Sequence, residues 1–265
     1  MHTAILIPAR YESKRYPGKP LAELTGATGM AKTLIQRSWE RARQVAGADH
    51  VVVATDDDRI AEHCRSFGAD VAMTAPDCAN GTERCAQAAV SLDPAPEVVV
   101  NFQGDALLTP PHVIDLLLQA MRADPDISVA TPVVRCDATM LAAFEETRRQ
   151  GRVGETSAVF DRQGRALYFS KEILPTRRTD AADLGTPVFQ HMGIYAYRTE
   201  ALTRYGDWPA GPLEMHEGLE QLRFLENGHR VQCCEVALGG APVHELNNYD
   251  DKPRIEAVLR DLGIV

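Results

Sequence analysis

Thr3-Ala4-Ile5-Leu6-Ile7-Pro8-Ala9-Arg10-Tyr11-Glu12-Ser13-Lys14-Arg15-Tyr16-Pro17-Gly18-Lys19-Pro20-Leu21 changes character once, just after Ile7. Before that point the run is continuously apolar and too short for a helix, which reads as a strand covered on both faces. After it, Arg10, Lys14, Arg15 and Lys19 crowd into ten residues framed by Pro8, Pro17 and Gly18. A strand that empties into a basic loop suits an open α/β sheet, in which ligands bind beyond the carboxyl ends of parallel strands. There Arg meets phosphate through a planar fork and Lys as a point charge, while Gly18 lets a backbone come close.

Working outward, the first strand (4–8) is followed by apolar runs at 50–54, 70–73, 98–102 and 128–134, which alternate with amphipathic stretches at 33–46, 57–67, 82–91 and 110–123. Strand and helix alternating at this spacing predict a Rossmann-like, doubly wound α/β sheet. Asp56-Asp57-Asp58 stands where carboxylates cap the helix that follows. The second half changes to strands at 158–161, 165–170 and 192–197, with a hairpin turn at 161–164. A helix over 212–226, a strand at 230–235 and a helix at 252–262 complete it. This half reads as a small α+β extension of one domain spanning 1–265, since no Gly/Ser-rich linker intervenes.

The 265 residues are 45% hydrophobic and 25% charged, which fits a globular protein and excludes a disordered or fibrous one. No apolar run reaches the ~18–20 residues that cross a bilayer. The first residues carry no basic cluster ahead of the apolar stretch, so neither a secretion signal nor a membrane partner is expected. Lys and Arg number 28 against 37 acids, and the net charge of −9 argues against a nucleic-acid partner. Six cysteines, at 64, 78, 85, 136, 233 and 234, form no C-x-x-C pair, and the adjacent two point to opposite faces of a strand. Reduced thiols in a cytoplasmic protein are the expectation.

Polar residues gather at the strand ends. Ala54-Thr55-Asp56 closes the second strand, Asn80-Gly81-Thr82-Glu83-Arg84 opens a helix, and Asn101-Phe102-Gln103-Gly104-Asp105 closes a later strand. Free N–H groups at a helix start meet a base or an anion. An Asp just past a strand suits Mg²⁺ beside a triphosphate. Gly26-Ala27-Thr28-Gly29-Met30-Ala31-Lys32-Thr33 falls short of a P-loop, because Ala31 replaces the second glycine and no strand leads directly into it. A G-x-G-x-x-G turn is absent from the first strand–helix junction, which argues against NAD-type cofactors.

These segments, in order, resemble the cytidylyltransferases that activate sugar acids, above all the 3-deoxy-manno-octulosonate (KDO) cytidylyltransferase family. The resemblance runs from Ile7-Pro8-Ala9-Arg10 through Gln103-Gly104-Asp105, Ala166-Leu167-Tyr168-Phe169-Ser170 and His191-Met192-Gly193-Ile194-Tyr195 to Glu220-Gln221-Leu222-Arg223. It implies a nucleotide-diphospho-sugar-transferase type of sheet, with a nucleotide part over about 1–135 and an acceptor and dimer part over about 136–265. It also implies transfer of CMP from CTP to an acidic small-molecule acceptor, release of pyrophosphate, Mg²⁺ as cofactor, and a homodimer. Carried over residue by residue, it puts Ala9, Arg10, Ser13, Lys14, Arg15, Lys19, Gly104 and Asp105 around the triphosphate and Ala54, Thr55, Gly81 and Thr82 toward the cytidine. Arg10, Lys19 and Asp105 would carry catalysis, and Asp105 and Asn247 the metal. Arg84, Gln103, Lys171, His191, Tyr195, Glu220 and Gln221 match the acceptor pocket.

Several positions depart from the family pattern. Ala106-Leu107 follows Gln103-Gly104-Asp105 where the family has Glu-Pro, and Asn247 stands where it has a metal-binding Asp. An Asn carbonyl ligates Mg²⁺ without bringing charge, so Glu245 or Asp250 is open as a substitute. Ser157 replaces a Lys, Lys171 replaces an Arg and so loses the bidentate fork, and residues 27–31 lengthen the loop before the first long helix. The acceptor therefore reads as KDO or a related 2-keto sugar acid, with a small phosphonate-carboxylate such as phosphonoformate as the alternative. A CTP-binding protein without turnover is the alternative of another class. Sugar-1-phosphate nucleotidylyltransferases fit less well, since they carry a Gly-rich first loop.

Overall fold

β1 (Thr3–Ala9) has six of its seven residues buried. It runs parallel between β4 (His50–Thr55) and β6 (Val98–Asn101), with Ile5 opposite Val51 on one side and Val100 on the other. This central place explains the unbroken apolar run. Alternate residues feed two cores. Ile5 and Ile7 pack with Ile35, Trp39, Ile114 and Leu117 on one face, and Leu6 packs with Cys85, Ala88 and Ala89 on the other. The computed structural model describes residues 1–12, 16–152, 154–176, 186–239, 246 and 248–265.

Between β1 and β4 come the hairpin β2 (Glu23–Thr25) and β3 (Ala31–Thr33) and the helix α1 (Leu34–Ala42). The near-P-loop segment is this hairpin, whose turn Gly26–Met30 rests on the carbonyl of Ile264. Helices α2 (Asp58–Ser66) and α3 (Gly81–Ala89) flank β5 (Asp70–Met73). Asp57 caps α2, accepting from Arg59 N and Ile60 N, and Asn80 caps α3, accepting from Glu83 N. After β6 come α4 (Pro111–Ala123), β7 (Val129–Arg135), α5 (Ala138–Arg149), β8 (Ser157–Phe160) and β9 (Ala166–Ser170). β10 (Phe189–His191), β11 (Tyr195–Arg198), α6 (Thr199–Arg204), α7 (Pro212–Glu217), α8 (Gln221–Glu226), β12 (Val231–Glu235) and α9 (Lys252–Asp261) follow.

Ten strands form one sheet in the order β5-β4-β1-β6-β11-β7-β10-β8-β9, with β12 also paired to β7. β7 is predicted as a member of the parallel run, but β11 enters antiparallel between β6 and β7. β10 and β11 share one edge of β7 and are interrupted at Met192-Gly193-Ile194, where Thr131 Oγ1 reaches the carbonyls of Met192 and Ile194. The helix predicted over 212–226 is two helices. Gly218 adopts φ +66°, which an L side chain rarely tolerates, and ends α7 before α8 starts. Cys233 and Cys234 join opposite cores, as their adjacency predicts, and all six cysteines are free thiols. Among the described residues no helix is long and apolar enough to cross a membrane.

Candidate active site

A cavity of about 330 Å³ opens at the carboxyl ends of β1 and β6, against the start of α3. Ala9, Arg10, Lys19, Gly81, Arg84, Gln103, Gly104, Asp105 and Glu220 all line it. Residues up to 212 positions apart in sequence thus meet at one sheet edge (Pro8 to Glu220), as the strand-end rule for open sheets requires. Ser13, Lys14, Arg15 and Asn247 lie outside the described residues.

The root of the basic loop is closed by Gly18 N donating to Tyr11 O at 2.8 Å, and the Arg59 guanidinium lies 3.4 Å from the Tyr11 ring centroid. Lys19 then begins a single 3-10 turn and projects Nζ to Asp105 Oδ2 at 2.6 Å. On the opposite wall Arg84, only 3% exposed, is oriented by Asp56 Oδ1 at 3.1 Å and Thr74 Oγ1 at 2.5 Å. Asp56, which the sequence places both in a capping run and at the end of the second strand, is thus a partner of a cavity residue.

Ala54, Thr55 and Thr82, expected to face a nucleoside, are fully buried and are not among the residues that line the cavity. Thr55 Oγ1 accepts from Asp57 N at 3.2 Å, and Thr82 Oγ1 donates to Glu220 Oε2 at 2.5 Å. Ala54 and Thr55 end β4, and Thr82 lies in the first turn of α3. Burial raises the pKa of Glu220, and the hydrogen bond from Thr82 opposes that rise.

Lys171, His191, Tyr195 and Gln221 form a second group. Lys171 Nζ donates to Thr156 Oγ1 at 3.0 Å and Gly154 O at 3.2 Å. His191 Nε2 lies 2.8 Å from Thr131 Oγ1, whose own proton has the Ile194 carbonyl at 2.8 Å. The imidazole is therefore the donor of the pair, with its proton on Nε2 and Nδ1 as the accepting nitrogen. Burial first, and then the Lys171 charge, push the His191 pKa down to about 3, so the ring is neutral. Tyr195 O–H donates to Gln221 Oε1 at 2.9 Å.

The two groups are joined at the start of α8, where Glu220 lines the cavity and Gln221 holds Tyr195. They are joined again through Asn101, which pairs in register with Tyr195 and accepts from Gln103 Nε2 at 3.0 Å. Asn101 Nδ2 and Gln221 Nε2 are buried donors with no hydrogen-bond partner among the described residues. A buried donor left unpaired costs about 1–3 kcal/mol, which an oxygen of a water or a ligand within reach would recover. Asn101 was not singled out from sequence, because its role depends on the β6–β11 register.

Residues 4–231 match the cytidylyltransferase family. The chain belongs to that family. Among its relatives, 3-deoxy-manno-octulosonate cytidylyltransferase of Maricaulis maris is 39% identical over 263 residues, 99% of each chain. The mitochondrial enzyme of the same name from Arabidopsis thaliana is 40% identical over 256 residues, 97% of this chain and 82% of the relative. A solved CMP:2-keto-3-deoxy-manno-octonic acid synthetase in complex with CTP superimposes with a TM-score of 0.86 at 34% identity, covering 99% of this cytidylyltransferase and all of that chain. The 4-diphosphocytidyl-2C-methyl-D-erythritol synthase of Anaerococcus prevotii, at 11% identity and a TM-score of 0.61, shares the fold.

Proposed function

We propose that this cytidylyltransferase transfers CMP from CTP to KDO and releases pyrophosphate. The observation that carries the reading is the junction at Glu220-Gln221. It sets a cavity lined by Arg10, Lys19 and Asp105 against a second group of hydrogen-bonding residues around His191 and Tyr195. Two substrates held side by side turn an encounter between two molecules into one within a complex. The names of the full-length relatives support the identity of both substrates.

Arg10 and Lys19 offset charge on the triphosphate, and most where it grows on the departing pyrophosphate. His191, Tyr195, Gln221 and the Asn101 amide would orient acceptor hydroxyls, and Lys171 would add a cation for the acceptor carboxylate. Among the described residues no three His, Cys, Asp or Glu side chains converge as a metal cluster. A single carboxylate, Asp105, nevertheless fits a magnesium ion, because Mg²⁺ shared with substrate phosphates takes only one or two protein carboxylates. Bound there, the ion would neutralise phosphate charge.

Of the departures from the family pattern, Ser157 and Ala106 are packing positions here. Ser157 Oγ donates to Glu172 O at 2.6 Å, and Ala106 is buried within a turn. Neither supports a re-cut acceptor site. The test is pyrophosphate release from CTP and Mg²⁺ with KDO and with phosphonoformate in parallel. Turnover with KDO is expected. Turnover with the phosphonate alone overturns the acceptor, and CTP binding without release for any acid overturns the enzyme reading.

A further inference from the structure

We infer that Ser38 and Arg41 are positioning residues for Asp105, an inference that rests on the reading of Asp105 as the carboxylate that works with the metal and the triphosphate. The buried residues of α1 are Leu34, Ile35, Arg37, Ser38, Trp39 and Ala42, so Ser38 is a buried hydroxyl beside the apolar Leu34, Ile35, Trp39 and Ala42. A helical serine usually bonds back to its own helix or faces water. Ser38 does neither: it is fully buried and donates Oγ–H to Gly104 O at 2.8 Å. One turn further along, Arg41 Nε donates to Leu107 O at 3.2 Å. The carbonyls just before and two after Asp105 are thereby tied to adjacent turns of a single helix.

The opposite side of the turn is fixed as well. Ala106 N donates to Gln103 O at 2.9 Å, and a Cβ at Gly104 would lie 3.0 Å from Pro8 O. The turn from Gln103 to Leu107 is clamped between β1 and α1, with the Asp105 carboxylate left toward the cavity. Ser38 and Arg41 do not line that cavity, so they act through Asp105. Displacing a reacting arrangement by about 1 Å costs on the order of 10²-fold in rate, which is the scale on which such a clamp matters.

The experiment compares Ser38→Ala, Ser38→Thr and Arg41→Met with Asp105→Asn in the full chain. It reads kcat, KM for CTP, and the calorimetric ratio of CTP dissociation constants without and with magnesium. Ser38→Ala is expected to lower kcat about tenfold and to shrink the magnesium gain in CTP affinity, with KM for CTP changed less than about threefold. Ser38→Thr keeps the donor and should stay within about threefold of the parent, and Arg41→Met should shift the same two readouts in the direction of Ser38→Ala. Parent-like kcat and magnesium gain in Ser38→Ala and Arg41→Met, beside an inactive Asp105→Asn, overturn the clamp. Equal losses in Ser38→Ala and Ser38→Thr also overturn it, because volume rather than the hydrogen bond would then be responsible. An active Asp105→Asn overturns instead the reading beneath it.

Discussion

Lys19 Nζ and Asp105 Oδ2 meet at 2.6 Å although 86 residues separate them, and both line the same cavity. Each holds the other in this structure; were a polyphosphate to bind, its oxygens would take the ammonium and leave the carboxylate to a cation. Partner exchange of this kind keeps two charges paired in every state, which a half-buried site needs.

Lys19→Ala should therefore lose more than phosphate affinity, since it also leaves Asp105 unpaired. A fall in kcat/KM for CTP of about 10²- to 10³-fold is expected. Asp105→Ala should be similarly damaged, and the double variant should lose less than the product of the two singles, because the groups act as a unit. Steady-state kinetics of the three variants checks this, and strict multiplicativity would show that the two groups work independently.

The buried pair of Glu214 and Arg223 makes a stability prediction. Arg223 Nε and Nη2 donate to Glu214 at 2.6 and 2.7 Å, while Tyr205 O–H donates to Glu214 at 3.2 Å and Asn80 Nδ2 lies 3.3 Å from the Tyr205 oxygen. The network thus reaches from α7 and α8 to the residue that caps α3 at the cavity. Arg223→Met strands a buried carboxylate and should cost about 3–5 kcal/mol, whereas Arg223→Met combined with Glu214→Leu should recover much of it. Urea unfolding of both variants provides the measurement.

His191 makes a pH prediction. Its folded pKa of about 3 lies below the ordinary 6.5, so between these values the unfolded chain binds more protons than the folded one. Stability contributed by the neutral ring is full above pH 6.5 and is lost as pH falls toward 3. His191→Gln keeps a donor toward Thr131 and cannot titrate. Its unfolding free energy should fall less steeply between pH 6.5 and 5, by up to about 1.4 kcal/mol per pH unit. His229, whose pKa burial also lowers, remains in both proteins and cancels from the comparison.

The first half of the fold was legible because central parallel strands announce themselves: Val51-Val52-Val53 and Val98-Val99-Val100 leave few alternatives. α5 was missed although Asp137 caps it, because only Leu141 and Phe144 of its twelve residues are buried and its periodicity is weak. β11 between β6 and β7 was illegible for another reason: antiparallel insertion is a property of the chain's return path, not of Tyr195–Arg198. The site followed the same division. Lys19, Gln103 and Asp105, named from the sequence, all line the cavity. Asn101 and Asp56 stand in polar strand-end segments, but what they contact depends on register and on Arg84, which no local pattern shows.

Arg37 anchors the inserted hairpin. It is buried, and it donates to Leu24 O at 2.8 and 3.2 Å, to Met30 O at 3.1 Å and to Val265 O at 2.9 Å. Arg37→Ala should free three carbonyls at once, destabilise the chain by about 2–4 kcal/mol and expose residues 23–33 to protease while kcat stays near the parent value. Limited proteolysis beside turnover separates this from an effect on the cavity.

Lys171 tests the acceptor side. Its ammonium lies against Thr156 Oγ1 and close enough to His191 to lower that ring's pKa, so the charge sits among the group that includes Tyr195 and Gln221. With His191 neutral, this cation would give an acceptor carboxylate a charge-assisted bond in that group. Lys171→Met should raise KM for KDO by about 10- to 100-fold and leave KM for CTP within about threefold. Lys171→Arg restores charge in a planar fork that reaches two carboxylate oxygens. It should keep KM for KDO at or below the parent value if the carboxylate is the partner, and equal KM values for KDO in all three proteins would remove Lys171 from acceptor binding.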